Sequence, residues 1–236
     1  MDRSSAFTTF ERYPSHPTCH PSQARDLGWR STPPSTDNVR NMPIDYDPTT
    51  ALVVVDVQND FADPHGSLYV AGGEGVVEPI NREIDRAREA DALVVYTQDW
   101  HPETTPHFAK DGGIWPVHCV GDTWGAAFHP DLDVDGPTIR KGTGGEDGYS
   151  GFSIRDPETG IESSTGLAEL LCQQAIERVV VAGLALDYCV KATALDAASA
   201  GFDATVLLEA TRAVDLERGD GDQAVQELES AGVAVA

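Results

Sequence analysis

Hydrophobic positions along this chain fall into two kinds of run. Ala51–Val55, Ala92–Thr97, Arg178–Gly183 and Ala204–Leu208 are short, nearly continuous and rich in valine, the pattern of strands buried on both faces of a parallel sheet. Val76–Ala90, Leu167–Ile176, Val190–Ala200 and Gln223–Ala231 instead repeat their apolar residues at helical spacing. Strand and helix patterns alternate, which predicts crossover units and an α/β fold: a three-layer, doubly wound, mainly parallel β-sheet with helices on both faces. Between Gln98 and Gly166 the pattern breaks into a long stretch of Gly, Pro, His and Trp, with one strand expected near Thr138–Lys141. That stretch is too long for a plain connection, and irregular segments at strand ends are where α/β proteins build sites.

Residues 1–41 carry Ser, Thr, Pro, Arg and aromatics without either period and are expected to be a poorly ordered N-terminal extension, its His16 and His20 incidental. Met42 is a plausible alternative start, and residues 42–236 are read as one folded domain, for which the length suffices.

Charge narrows the partners. The chain has 39 acidic and 16 basic residues, a formal net charge of -23, which repels phosphate backbones and anionic membranes and argues against nucleic acid and membrane binding. Aspartates are spread over loops and helices while the lysines are Lys110, Lys141 and Lys191 alone. This is the solvation pattern of a high-salt cytoplasm, or that of a merely acidic protein. Cys19, Cys119, Cys172 and Cys189 form no CxxC pair and no regular spacing, so neither a disulfide framework nor a zinc ribbon is indicated and a reducing compartment fits. With no apolar run of membrane-spanning length and no signal-peptide core, the protein is expected to be soluble and cytoplasmic. A homo-oligomer is left open.

Candidate chemistry gathers just past the predicted strands. Asp56, in VVDVQNDF, sits at the carboxyl edge of the first strand, where it could cap the next loop or act as a base. Cys189, in GLALDYCV, opens the helix Val190–Ala200, where the dipole and free N–H groups favour a thiolate; the competing reading is a small core cysteine, which suits mid-helix Cys172. Asp99 and His101, in QDWH, share one side of an extended strand, and His118, in WPVHCV, can join them as a metal ligand. The same three could be ordinary loop polar groups. His107 is a further candidate, as a fourth ligand or a substrate contact; Cys119 should point away from His118, and His65 and His129 read as loop residues. Lys141 precedes a glycine-rich segment, Gly142–Gly145, that lets the chain pass close to a ligand, although a surface lysine is also a fair reading.

Taken together, VVDVQNDF, KGTGGEDGYSGF and GLALDYCV, with QDWH and WPVHCV between them, resemble the isochorismatase-like cysteine hydrolases and, within them, the nicotinamidases. The resemblance spans nearly the whole domain after Met42. It implies the isochorismatase-like hydrolase fold and hydrolysis of nicotinamide to nicotinate and ammonia through a cysteine thioester, in NAD salvage. It further implies Asp56, Lys141 and Cys189 as the catalytic set, Lys141 helping to keep the cysteine as thiolate. The N–H groups of Ala185 and Cys189 would form the oxyanion hole, with a cis peptide between Leu184 and Ala185. One divalent metal ion, zinc first and iron or manganese as alternatives, would be held by Asp99, His101 and His118. Phe61, Trp115 and Tyr149 would contact the substrate. Tyr188 departs from the histidine also found in the family before the nucleophile. Rival readings are another amidase of the superfamily acting on a ureido or carbamoyl compound, an isochorismatase-type hydrolase that would not need Cys189, and a catalytically silent scaffold.

Overall fold

A computed structural model describes residues 44–236; the expected extension and its histidines lie outside the described residues. The elements run β1 (Thr50–Val55), a one-turn α1 (Asn59–Ala62), α2 (Val77–Glu89), β2 (Leu93–Asp99), β3 (Thr138–Lys141), β4 (Ser153–Arg155), β5 (Glu162–Ser164), α3 (Leu167–Gln173), β6 (Arg178–Leu184), α4 (Lys191–Ser199), β7 (Asp203–Arg212), α5 (Asp220–Ser230) and β8 (Ala234–Val235). Six strands form one sheet in the order β3-β2-β1-β6-β7-β8, and every pairing in it is parallel. The α/β reading of the hydrophobic pattern is therefore the fold observed.

Alternation along β1 divides the core. Leu52 and Val54 pack with Ile80, Ile84 and Ala87 of α2 on one face. On the other, Ala51, Val53 and Val55 pack with Leu167 and Leu171 of α3, Ala194 and Ala197 of α4, and Leu228 of α5. All six β1 residues are buried, which is why its sequence reads as unbroken apolar rather than alternating. From β1 the chain first moves outward through β2 to β3, then returns to β6 on the opposite side of β1. That reversal is the switch point at which open α/β sheets leave a crevice beyond their carboxyl ends.

Three details depart from the sequence reading. The segment after β3 carries a small antiparallel pair, β4 with β5. Cys189 lies not in the first turn of α4 but in a π-helical turn, Leu186–Val190, that precedes it. Cys172 on α3 is only half-buried, against the reading of it as a plain core thiol. The 38 residues between β2 and β3 are ordered by isolated bridges, including His101 with Val120 and Phe108 with Trp115.

Candidate active site

Four neighbouring strands deliver the site. Asp56 follows β1, Asp99 ends β2, Lys141 ends β3 and Cys189 follows β6, and Asp99 and Lys141 are register partners across β2 and β3. Asp56 adopts a left-handed backbone, φ 49°, a conformation aspartate tolerates better than most residues. Gln58 N–H donates back to the Asp56 carbonyl at 2.8 Å, so the chain turns sharply as it leaves the sheet.

Lys141 is fully buried and is the hub of the polar cluster. Its Nζ lies 2.7 Å from Asp56 Oδ2 and 2.5 Å from Asp99 Oδ1, donates to the Gly148 carbonyl, and stands 3.8 Å from Cys189 Sγ. Thr97 Oγ1 donates to Asp56 Oδ1 at 2.7 Å. Burial works against the Lys141 charge, but Asp56 and Asp99 outweigh it and raise its proton affinity well above the usual lysine range. Burial also raises Asp56, with Lys141 opposing and Asp99 adding. For Asp99, burial is overcome by Lys141 and by the facing His101 and His118, which hold the carboxyl well below the ordinary range. Burial likewise pushes the Cys189 thiol well above its usual value despite Lys141. Lys141 thus acts on Cys189 in the expected direction, toward the thiolate, but burial outweighs it.

Next to this cluster, His101, His107 and His118 are all buried, and their donor atoms lie within 4.8 Å of one another. Asp99 Oδ2 faces His101 Nε2 at 3.6 Å and His118 Nε2 at 3.7 Å. Both ring nitrogens of His101 are buried without a hydrogen-bond partner, a costly state for an imidazole unless its lone pair meets a cation. Three imidazoles gathered within 4.8 Å, two of them facing a carboxylate, suit a divalent metal ion. His107, the open fourth candidate, thus lies with the others. Gly142, at φ 78°, passes so close to His101 that a Cβ would sit 2.6 Å from Cε1, the close approach for which glycine is required. Cys119 Sγ points toward the Gly125 carbonyl, while His65 is exposed and pairs with Asp63.

The pocket over these groups is lined by Phe61, Leu68, Val70, Trp115, Tyr149, Leu184, Tyr188 and Val214, with Asp99, His107, His118, Ala185 and Cys189 reaching it. Asp56, Lys141 and His101 are packed behind that lining. Trp115 Nε1 donates to Tyr149 Oη at 2.7 Å, and Tyr188 meets Trp115 edge-on with centroids 4.9 Å apart. The peptide between Leu184 and Ala185 is cis. Sequence reasoning passed over Gln58, whose side-chain amide donates to the Asp99 and Ala126 carbonyls at 2.7 and 2.9 Å and accepts the Asp99 N–H at 2.8 Å. It pins Asp99 as a strand partner would. Its place two residues after Asp56 was the available signal.

Comparison with known proteins places this arrangement among relatives. A nicotinamidase of Acinetobacter baylyi is 38% identical over 204 residues, 78% of this chain and 90% of that protein. The crystal structure of the pyrazinamidase of Pyrococcus horikoshii in complex with zinc is similar at a TM-score of 0.70 and 39% identity, covering 80% of this chain and 98% of that one. PnC1 from L. infantum in complex with nicotinate gives a TM-score of 0.73 at 38% identity, covering 83% and 96%. The family profile named Isochorismatase domain matches residues 50–236. That span begins with β1 and takes in every strand that feeds the pocket, and the chain belongs to the isochorismatase family.

Proposed function

We propose that the protein is a nicotinamidase, hydrolysing nicotinamide to nicotinate and ammonia, and that this serves NAD salvage in the cytoplasm. The observation that carries the reading is the buried Asp56–Lys141–Cys189 cluster lying against Asp99 and the two histidines it faces, His101 and His118, at one aromatic pocket. A pyridine carboxamide needs both halves: a nucleophile for the amide carbon and an anchor for the ring.

Cys189 Sγ attacks the amide carbon as Asp56 takes the thiol proton. The oxygen that gains charge is received by the backbone N–H groups of Ala185 and Cys189. Collapse breaks the C–N bond, Asp56 returns the proton to nitrogen, and ammonia leaves a thioester on Cys189. Asp56 then deprotonates a water that attacks the thioester, releasing nicotinate and restoring the thiol. Lys141 holds Asp56 in place and offsets its charge throughout. Asp99, His101 and His118, with His107 beside them, are the residues that would hold the metal ion, for which zinc fits the donor set; when bound it supplies a Lewis-acid anchor for the pyridine nitrogen. Phe61, Trp115 and Tyr149 pack on the ring and fix its angle of approach.

The test is ammonia release from nicotinamide by the wild-type protein and by Cys189→Ala, in high-salt buffer with Zn²⁺ supplied. Release by the wild type that disappears in the variant supports the reading. A folded, metal-loaded wild type that releases none would transfer it to a different amide.

A further inference from the structure

Asp147 plays no part in the set above, yet its carboxylate reaches directly into the donor cluster. Its Oδ1 lies 2.7 Å from His107 Nδ1, while the His107 ring stacks on His101 at 4.8 Å between centroids and faces His118 at 5.5 Å. An imidazole whose Nδ1–H donates to a carboxylate keeps its Nε2 lone pair free, and an outer carboxylate of this kind orients a metal-binding histidine and raises its basicity. Asp147 is itself held firmly. It exchanges N–H···O bonds with Arg155 at 2.8 and 2.9 Å, so β4 fixes its backbone. The next residue, Gly148, gives its carbonyl to Lys141 Nζ, and Tyr149 follows in the pocket wall.

We infer that Asp147 is a positioning residue: it fixes His107 in the Nδ1–H tautomer, commits Nε2 to the metal beside His101 and His118, and ties that centre to the segment bracing Lys141. The inference rests on the metal site of the proposed function, and concerns a residue that acts through His107 rather than on substrate. An adjacent surface aspartate without this role would show no energetic dependence on His107.

The experiment measures metal binding, independent of turnover. Metal-stripped full-length protein is titrated with Co²⁺, followed by visible absorption, and Zn²⁺ affinity is read by competition with a chromophoric chelator. The proteins are wild type, Asp147→Ala, Asp147→Asn, His107→Ala and the Asp147→Ala/His107→Ala double variant. Asp147→Ala should weaken Zn²⁺ binding about 10–100-fold and alter the Co²⁺ bands. Asp147→Asn, whose amide oxygen still accepts the Nδ1–H, should lose less and carries the test if the alanine variant does not fold. In the His107→Ala background the Asp147 substitution should add nothing, because the cycle removes the group through which it acts. Wild-type affinity in Asp147→Ala, or an Asp147 effect that persists undiminished without His107, would overturn the inference. A wild type that binds neither ion overturns it too, together with the metal half of the proposed function, and leaves the cysteine chemistry to the ammonia assay.

Discussion

A single buried ammonium decides the electrostatics of the site. Lys141 sits between two carboxylates: among the described residues Asp56 has no other ion-pair partner, and Asp99 otherwise faces only the His101 and His118 imidazoles. Removing one partner of such a buried cluster leaves charge uncompensated in a low-dielectric interior. Lys141→Met is therefore expected to cost the metal-free protein about 3–5 kcal/mol, read by urea denaturation; a loss below 1 kcal/mol would show the carboxylates finding other compensation. The raised Cys189 thiol sets a second expectation. Burial keeps the group protonated to higher pH than an ordinary thiol, so the rate of iodoacetamide alkylation at Cys189 should still be climbing well above about 8.5, the pH at which an ordinary thiol is already half ionised. A plateau near neutrality would instead mean a resting thiolate. Asp56, Asp99 and Cys189 were legible because each follows a strand that the pattern reveals. Gln58 and Asp147 were not, because their roles depend on partners about 40 residues away.

Among the elements, β6 is the one with least tolerance. Gly183 has φ 121°, and a Cβ there would fall 2.0 Å from the Val55 carbonyl oxygen, on the strand that presents Asp56. Gly183→Ala combines a disallowed backbone with overpacking and is expected to destabilise by roughly 2–4 kcal/mol, measured by thermal unfolding, with activity falling further than stability because β1 and β6 must part. The main strands and helices were readable from sequence for a common reason: burial on both faces leaves continuous apolar strands, and one-sided burial leaves helical spacing. The β4–β5 pair escaped notice because its strands are three residues each and largely exposed, β5 entirely so, leaving no periodicity to read. The π-helical turn at Leu186–Val190 escaped for a different reason. It is fixed by tertiary bonds, including those from Val214 and Asp215 N–H to the buried Asp187 carboxylate at 2.9 Å each.

The molecule as a whole carries a formal net charge of -23, and among the described residues no helix is long and apolar enough to cross a membrane. Like charges at this density repel across the surface, and salt screens them with a Debye length of about 10 Å at 0.1 M falling to about 3 Å at 1 M. The melting temperature and the ammonia-releasing activity should therefore hold or rise as NaCl is increased to molar levels; a fall in both would remove the reading of the acidic surface as an adaptation to salt. The aromatic wall of the pocket has an optical consequence. Trp100 lies beneath the Arg140 guanidinium, 3.6 Å from its ring centre, and Trp124 stands out in solvent, but the indole of Trp115 borders the chamber a ligand would enter. Nicotinate arriving there displaces water from that indole and brings a π-acceptor against it, so its fluorescence should be quenched in proportion to occupancy. The protein carries its own reporter, and affinity can be read from emitted light without any turnover.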